Sequence, residues 1–373
     1  MNPDLQTIAE QFDIPGRFVS GESYGSGHIN DTYAVTMAGG AGAHRCILQR
    51  INSYVFRNPA ALMDNIYRVT SHQHRKLAEA GAPDAARRAL TLIRARSGAV
   101  CGKDAEDRTW RAFVFIEQAN SYSTIQHPRQ AYEVARAFGE FQKQVVDLPG
   151  PRLVETIPNF HHTPRRFEAL EEAIKVDAVN RAAGVRAEID FAMKRKAITG
   201  ILLEKHRQGL IPERITHNDT KMNNVLLDVE TNEGICVIDL DTVMPGLVLY
   251  DFGDMIRSGI NSAAEDERDL SKVRAQRPVF EALVNGYLES ASRFLTPTER
   301  EYLVFSGKLI SFEIGIRFLT DYLSGDVYFK TCRPGQNLDR CRVQFTLIQS
   351  MEEQEDAMMR YVSEAGSRLE VRP

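Results

Sequence analysis

The chain has no surplus of positive charge: 46 Lys and Arg stand against 50 Asp and Glu, a formal net charge of -4. Nucleic-acid binding needs a basic tract to neutralise phosphates, and none is present, so that class is excluded. Pairs such as Arg87-Arg88 and Arg165-Arg166 read as solvated surface. No apolar run approaches the ~20 residues that span a bilayer. Met1-Asn-Pro-Asp-Leu5 shows no charged region followed by an apolar one, so no secretory signal is expected. Cysteine is sparse. Cys46, Cys101, Cys236, Cys332 and Cys341 form no C-x-x-C pair and no metal-ligand spacing, which suits reduced thiols in the cytoplasm. Repeats and low-complexity segments are absent too. What remains is an ordinary globular composition, 43% hydrophobic and 26% charged over 373 residues, long enough for two lobes.

The most unusual stretch runs from Ile215 to Gly253. It reads I-T-H-N-D-T-K-M-N-N-V-L-L-D, then G-I-C-V-I-D-L-D, then M-P-G-L-V-L-Y-D-F-G. Val225–Leu227 and Ile235–Ile238 have the length and β-branched content of buried strands. His217, Asp219, Lys221, Asn223 and Asn224 precede the first, and Asp239 and Asp241 follow the second. Carboxylates against an apolar hairpin cost free energy unless they are paired or bind a cation. The simplest use is a divalent metal held by oxygen ligands, with one further carboxylate free to act as a base. Any one of these residues alone would read as a turn former.

Around this stretch the chain divides into two parts. Asp4–Phe12 has the spacing of a short helix. Gly25-Ser26-Gly27-His28-Ile29-Asn30 is a glycine turn between strands, either a plain hairpin or a phosphate cradle. Thr32–Val35, Cys46–Ile51, Leu90–Ile93 and Arg111–Ile116 read as strands, and Asn58–Ala80 as a long helix capped by Asn58-Pro59. Glu117–Asn120 is the expected hinge. Helices are then expected at Arg129–Val146, from Thr163 (as cap, with Pro164 in the first turn), and at Glu188–Arg207, Pro278–Ser290, Pro297–Leu323 and Leu338–Ala365, with a capping box at Thr296–Glu299. The expected fold class is α+β: a small antiparallel β lobe over residues 1–117 and a larger, mainly helical lobe over 118–373, with a ligand in the cleft between them.

A glycine turn, a strand, a long helix, a hinge, H-x-D-x-x-x-x-N and a strand ending in Asp follow one another in an order that resembles the eukaryotic-like kinase fold. Within it the chain is similar to the aminoglycoside phosphotransferase and choline kinase superfamily. The segments Y-G-S-G-H-I-N-D-T-Y, I-L-Q-R-I-N, T-H-N-D-T-K-M-N-N-V-L, V-I-D-L-D-T-V-M-P-G, Y-D-F-G-D and G-I-R-F-L-T-D-Y-L-S-G-D-V-Y-F resemble the N-acetylhexosamine 1-kinases most. Those bacterial enzymes phosphorylate the anomeric hydroxyl of N-acetylglucosamine or N-acetylgalactosamine with ATP and magnesium. The resemblance implies a cytoplasmic enzyme acting on a small sugar and a nucleotide. It implies Asp219 as the base, Lys221 near the transferred phosphate, and Asn224 and Asp239 on magnesium. It further implies nucleotide contacts from Gly25, Ser26, Gly27, His28 and Asn30, from Gln49 and from Glu117. Arg317, Asp321 and Tyr328 would contact the hexosamine. Arg317 and Asp321 are four apart on one helical face, so an i,i+4 ion pair is the alternative.

Two features depart from what that resemblance implies. Asp251-Phe252-Gly253 spells a familiar kinase motif but lies 32 residues after Asp219; the metal carboxylate falls on Asp239 instead, and Asp251 is expected to brace the catalytic loop. The third-strand lysine that pairs nucleotide phosphates with a helix glutamate is absent: Gln49 stands there, Arg50 points to the opposite face, and no glutamate occupies the centre of Asn58–Ala80. Asp241 reads either as a partner of a metal ligand or as a neighbour of the metal. The alternatives are a kinase for another small hydroxyl substrate (an aminoglycoside, choline, homoserine or a different sugar) and a nucleotide-binding regulator without turnover.

Overall fold

A computed structural model describes residues 3–25, 29–40 and 42–370. It opens with helix α1 (Leu5–Ala9), whose first turn is capped by the Asp4 side chain. Strands β1 (Arg17–Ser23), β2 (Asp31–Gly39) and β3 (Gly42–Arg50) form an antiparallel meander. Helix α2 (Pro59–Glu79) starts where expected, with the Asn58 side chain accepting from the Ala61 N–H and proline in the first turn. A short helix α3 (Ala85–Arg88), β4 (Leu92–Ile93), β5 (Gly102–Lys103) and β6 (Thr109–Val114) complete a six-stranded sheet of order β1-β2-β3-β6-β4, with β5 also on β6. One face of this sheet packs on α1 through Phe12, Ile14, Val35, Leu48, Trp110 and Ala112. The other face turns toward α2 and the rest of the molecule.

The chain crosses out of this lobe through Gln118, held at φ +53°. Part of the expected hinge is itself a strand: β7 (Ala119–Asn120) pairs with the catalytic hairpin. Helices α4 (Pro128–Val145), α5 (Thr163–Val176), α6 (Arg186–Lys194) and α7 (Ile201–Arg207) follow, then β8 (Arg214–Thr216). Strands β9 (Val225–Asp228) and β10 (Gly234–Val237) form the hairpin read from the sequence, and β11 (Met244–Gly246) returns to pair with β8. The lobe ends with α8 (Val248–Gly259), α9 (Arg277–Ala291), α10 (Pro297–Glu301), α11 (Leu303–Leu323) and α12 (Gln336–Glu370). The result is the two-lobed kinase-like α+β fold.

Several local expectations are corrected. The helix expected over Glu188–Arg207 breaks into α6 and α7 around a 3-10 turn at Lys196–Gly200. β-branched Ile198 and Thr199 precede a glycine there, and the Thr199 hydroxyl donates to the Lys196 carbonyl at 2.8 Å, drawing the backbone out of the α pattern. Pro297–Leu323 breaks at Tyr302 (φ -92°, ψ 7°), although the capping box at Thr296 forms as expected. Thr163 is not the cap of α5. His162 is, which frees the Thr163 hydroxyl to donate to Glu313 at 2.6 Å.

In the helical lobe, α8 lies at the centre with nearly every residue buried. It approaches α11 backbone to backbone: a Cβ built on Gly253 would lie 2.5 Å from the Ser306 carbonyl oxygen. Phe252 is fully buried beside Tyr287, ring centroids 4.8 Å apart. No helix among the described residues is long and apolar enough to cross a membrane.

Candidate active site

The loop between β8 and β9 carries His217, Asn218, Asp219, Lys221 and Asn224, and it is held from beneath. Asp251, on the first turn of α8 and fully buried, accepts the His217 N–H at 2.9 Å, the Asn218 N–H at 2.6 Å and the Gln142 side chain at 2.7 Å. Asp251 therefore braces the loop, as expected from its spacing. Burial pushes its carboxyl above the ordinary aspartate value against these donors. Its backbone carbonyl also accepts the Thr220 hydroxyl at 2.6 Å. His217 braces rather than faces solvent: its Nε2 lies 2.9 Å from the Ile238 carbonyl, and its ring packs edge-on against Phe138 and Phe141. Asn218 is held at φ +64°, a left-handed conformation that asparagine tolerates better than most residues.

This scaffold presents Asp219 at the floor of the cleft. Asn224 donates to the Asp219 carbonyl at 2.7 Å and to its Oδ2 at 3.1 Å. Lys221 Nζ lies 3.1 Å from the same Oδ2. Burial pulls the Asp219 carboxyl upward, but Lys221, His217 and Arg257 outweigh it and hold the group below the ordinary aspartate range. The Asp219 charge in turn raises the Lys221 amine, against burial. The pair is thus ionised at neutral pH, an anion able to orient and accept from a hydroxyl beside a cation able to meet a phosphate.

Asp239 follows β10 in the left-handed region, φ +60° and ψ 57°. It is exposed, next to the buried Leu240. Desolvation by the chain packed around it, then the charges of Asp241 and Asp219, raise its carboxyl to about 6, with Lys221 and His217 opposing. The Asn224 amide is engaged by Asp219, and among the described residues no donor reaches its Oδ1. Among the described residues no group of three His, Cys, Asp or Glu side chains could hold a metal. Two open protein oxygens, one of them a carboxylate disfavoured by its neighbours, suit an ion that takes the rest of its shell from phosphate and water, as magnesium does.

The phosphotransferase enzyme family (APH) matches residues 20–287, most of the chain. The chain belongs to that family. Solved structures repeat its fold at low identity. A microcompartment-associated aminopropanol kinase is 16% identical with a TM-score of 0.63, the match covering 95% of this chain and 97% of the other. An aminoglycoside phosphotransferase from Alicyclobacillus acidocaldarius is 12% identical with a TM-score of 0.59, covering 99% and 97%. An ethanolamine kinase from Plasmodium vivax is 12% identical with a TM-score of 0.52, covering 87% and 82%.

The other residues expected at the site are spread around the loop. Ser26, Gly27 and His28 lie outside the described residues; Gly25 has φ +78°, which glycine adopts at no cost. Asn30 and Gln49 are both half-buried. Gln49 donates to Thr32 Oγ1 at 3.0 Å, and Arg50 pairs with Asp31 on the opposite face. Glu117 pairs with Arg45 at the lobe edge, half-exposed. In the helical lobe Arg317 and Asp321 form no ion pair with each other. Arg317 lies over the rings of Phe160 and Phe329, 5.5 and 5.7 Å from their centroids. Asp321 is buried and accepts from the N–H groups of Val327, Tyr328 and Phe329 and from Asn337, so its oxygens order the loop that carries Tyr328, itself 65% exposed.

Other charged groups went unread in the sequence. His161 Nδ1 lies 2.8 Å from Glu313 and Nε2 lies 3.1 Å from the Asn218 carbonyl. Both ring nitrogens face acceptors, so both must donate and the imidazole is cationic. This ties the catalytic loop to α11 one turn before Arg317. Arg166 donates to the Phe160 carbonyl at 2.9 Å, and burial together with Arg317 depresses its guanidinium. Asp254 and Arg257 pair within α8 at 2.8 Å; their i,i+3 spacing beside Asp251 was the available signal. Arg111, a lone cation in the apolar strand T-W-R-A-F-V, was legible as an anomaly.

Proposed function

We propose that this phosphotransferase is an ATP- and magnesium-dependent kinase that phosphorylates the anomeric hydroxyl of an N-acetylhexosamine, N-acetylglucosamine or N-acetylgalactosamine. The observation that carries the kinase reading is the Asp219 carboxylate, tethered by Asn224 and facing Lys221 at 3.1 Å. Bound ATP with magnesium would supply the transferable phosphoryl group and neutralise its charge. The chain's own residues do the positioning, which is most of what phosphoryl transfer requires. Asp219 would accept a hydrogen bond from the acceptor hydroxyl, align it and take its proton as the bond from that oxygen to the γ-phosphorus forms and the bond from the γ-phosphorus to the bridging oxygen of the departing ADP breaks. Lys221 meets the equatorial oxygens of the moving group. Asn224 and the Asp239 carboxylate would hold the ion. Gly25, Asn30, Gln49 and Glu117, with Ser26, Gly27 and His28 as the motif's resemblance implies, would make up the nucleotide side, with the lobe boundary at residues 117 and 118.

The acceptor side is built from Arg317, the loop ordered by Asp321, and Tyr328. Arginines at positions 166 and 317 disfavour a cationic acceptor such as choline or an aminoglycoside, and a guanidinium flanked by aromatic rings suits the neutral hydroxyl and amide groups of an acetylated sugar. The hexosamine itself rests on the resemblance of the motifs. A screen of ATP consumption over free sugars and amino alcohols, with product position read by phosphorus NMR, tests this. Turnover of choline or an aminoglycoside and of no hexosamine would overturn the acceptor. Asp219→Asn should abolish transfer while nucleotide still binds; undiminished turnover would remove Asp219 from its role, and a wild-type chain that binds nucleotide and turns over nothing would establish the regulator instead.

A further inference from the structure

The nucleotide side lacks a strand lysine and its helix glutamate, yet a buried ion pair lies next to the vacant position. Arg111 on β6 is the direct cross-strand partner of Gln49 on β3. Its side chain is 1% exposed, its Nε donates to Gln49 Oε1 at 3.0 Å, and its Nη1 donates to Asp241. Asp241, 4% exposed, comes from the other lobe, on the 3-10 turn that begins right after Asp239. Its second oxygen accepts from the Asn30 amide of the glycine turn, whose Oδ1 in turn accepts the Asn52 N–H at 3.0 Å. Its backbone carbonyl accepts the Thr156 hydroxyl at 2.8 Å.

We propose that Arg111 and Asp241 are the positioning pair for the nucleotide, a relocated replacement for the missing lysine and glutamate. The cation comes from the neighbouring strand and the anion from the metal loop, so one buried pair fixes three groups at once. Arg111 orients Gln49 by donating to its Oε1, which turns the Gln49 amide toward Thr32 Oγ1. Asp241 anchors the turn that holds Asp239 in a left-handed conformation. Through Asn30 the same carboxylate ties the start of β2 to that metal loop. Neither charged group needs to touch the nucleotide. A buried charge is retained at a large desolvation cost, and loss of either partner strands the other. Gln49 and Arg111 act together because cross-strand neighbours on one face are within contact. The proposal rests on the kinase reading for its ligand, and on this geometry for its residues.

The test is calorimetric binding of ADP, with and without magnesium, to the full chain carrying Asp241→Asn, Arg111→Lys, Gln49→Ala or Arg111→Met with Asp241→Asn. Asp241→Asn keeps the size of the side chain, and Gln49→Ala leaves both charges in place should the charge variants fold poorly. The expected result is at least a tenfold weaker magnesium–ADP affinity in Asp241→Asn. A smaller loss is expected in Arg111→Lys, which keeps the charge, with a double variant little worse than Asp241→Asn alone. With acceptor turnover, the KM for ATP should rise and that for the acceptor should hold. Unchanged ADP affinity in folded Asp241→Asn and Gln49→Ala, or equal rises in both KM values, would overturn the pair alone. Wild-type protein that binds no ADP would overturn the kinase reading and this proposal with it.

Discussion

Asp251 offers the sharpest quantitative test, because its three side-chain hydrogen bonds divide unequally between two oxygens. Oδ2 accepts from His217 N–H and Gln142, and Oδ1 from Asn218 N–H alone. In Asp251→Asn the new NH2 must replace one oxygen. Replacing Oδ1 sacrifices a single bond and leaves the Asn218 N–H facing a donor. Gln142 cannot flip to help, since its own oxygen accepts the Tyr287 hydroxyl at 2.7 Å. A bond to a charged acceptor contributes about 1.5–3 kcal/mol, and an orphaned donor costs about 1–3 kcal/mol. Against this, removing a buried charge relieves the desolvation that raises the Asp251 carboxyl. The net expectation is a loss of about 2 kcal/mol, roughly 30-fold in the folded-to-unfolded ratio. Asp251→Ala leaves all three donors unpaired beside a cavity and should cost about 4 kcal/mol or more. Urea unfolding of both variants reads this directly through the midpoint at constant slope. Equal losses in the two variants, or an Asp251→Asn as stable as the wild type, would refute the assignment of the bonds.

Asp239→Ala should abolish magnesium-dependent nucleotide binding while changing the unfolding midpoint little, because its carboxylate makes no hydrogen bond among the described residues; Asp251→Asn should do the reverse, and calorimetry with urea unfolding on both separates them. The His161–Glu313 pair predicts a pH dependence. Burial lowers the His161 imidazole, but Glu313, the Asn218 carbonyl and Asp254 raise it above its ordinary value, while His161, Arg317 and Thr163 hold Glu313 below its own despite burial. A raised imidazole stabilises the fold fully below the ordinary histidine pKa and loses that contribution as pH rises through the folded value; a depressed carboxyl contributes only above the ordinary glutamate pKa. The pair is therefore strongest between these limits, near pH 6. Glu313→Gln should lower Tm more at pH 6 than at pH 9, and an equal or reversed difference in a melting series would count against a cationic His161.

Much of the architecture was legible because local and tertiary preferences agree there. The Asn58 cap, the Thr296 capping box and the two apolar strands of the catalytic hairpin needed no distant partner to be recognised. The failures came where a distant contact decided. Thr163 looked like a cap, but Glu313, 150 positions away, takes its hydroxyl. The roles of Arg111 and Asp241 depend on strand register and on a contact 130 positions apart; alternation along β3 could show that Arg50 faces away, but no pattern within one strand shows which strand supplies its substitute. Glu313 and His161 were invisible for the same reason, each an ordinary residue on its own helix or loop.

The letters D-F-G at positions 251 to 253 have three separate causes. The aspartate is there for two amide groups of the catalytic loop, the phenylalanine for the space beside Tyr287, and the glycine because α11 leaves no room for a methyl group over Ser306. None of these reasons involves a metal or a nucleotide. Were helix α11 set slightly farther off, alanine would serve at position 253 and the familiar spelling would vanish with no change in chemistry. The resemblance of that string to a metal-binding signature is a coincidence of packing, and it is the geometry behind each letter that says what the residue is for.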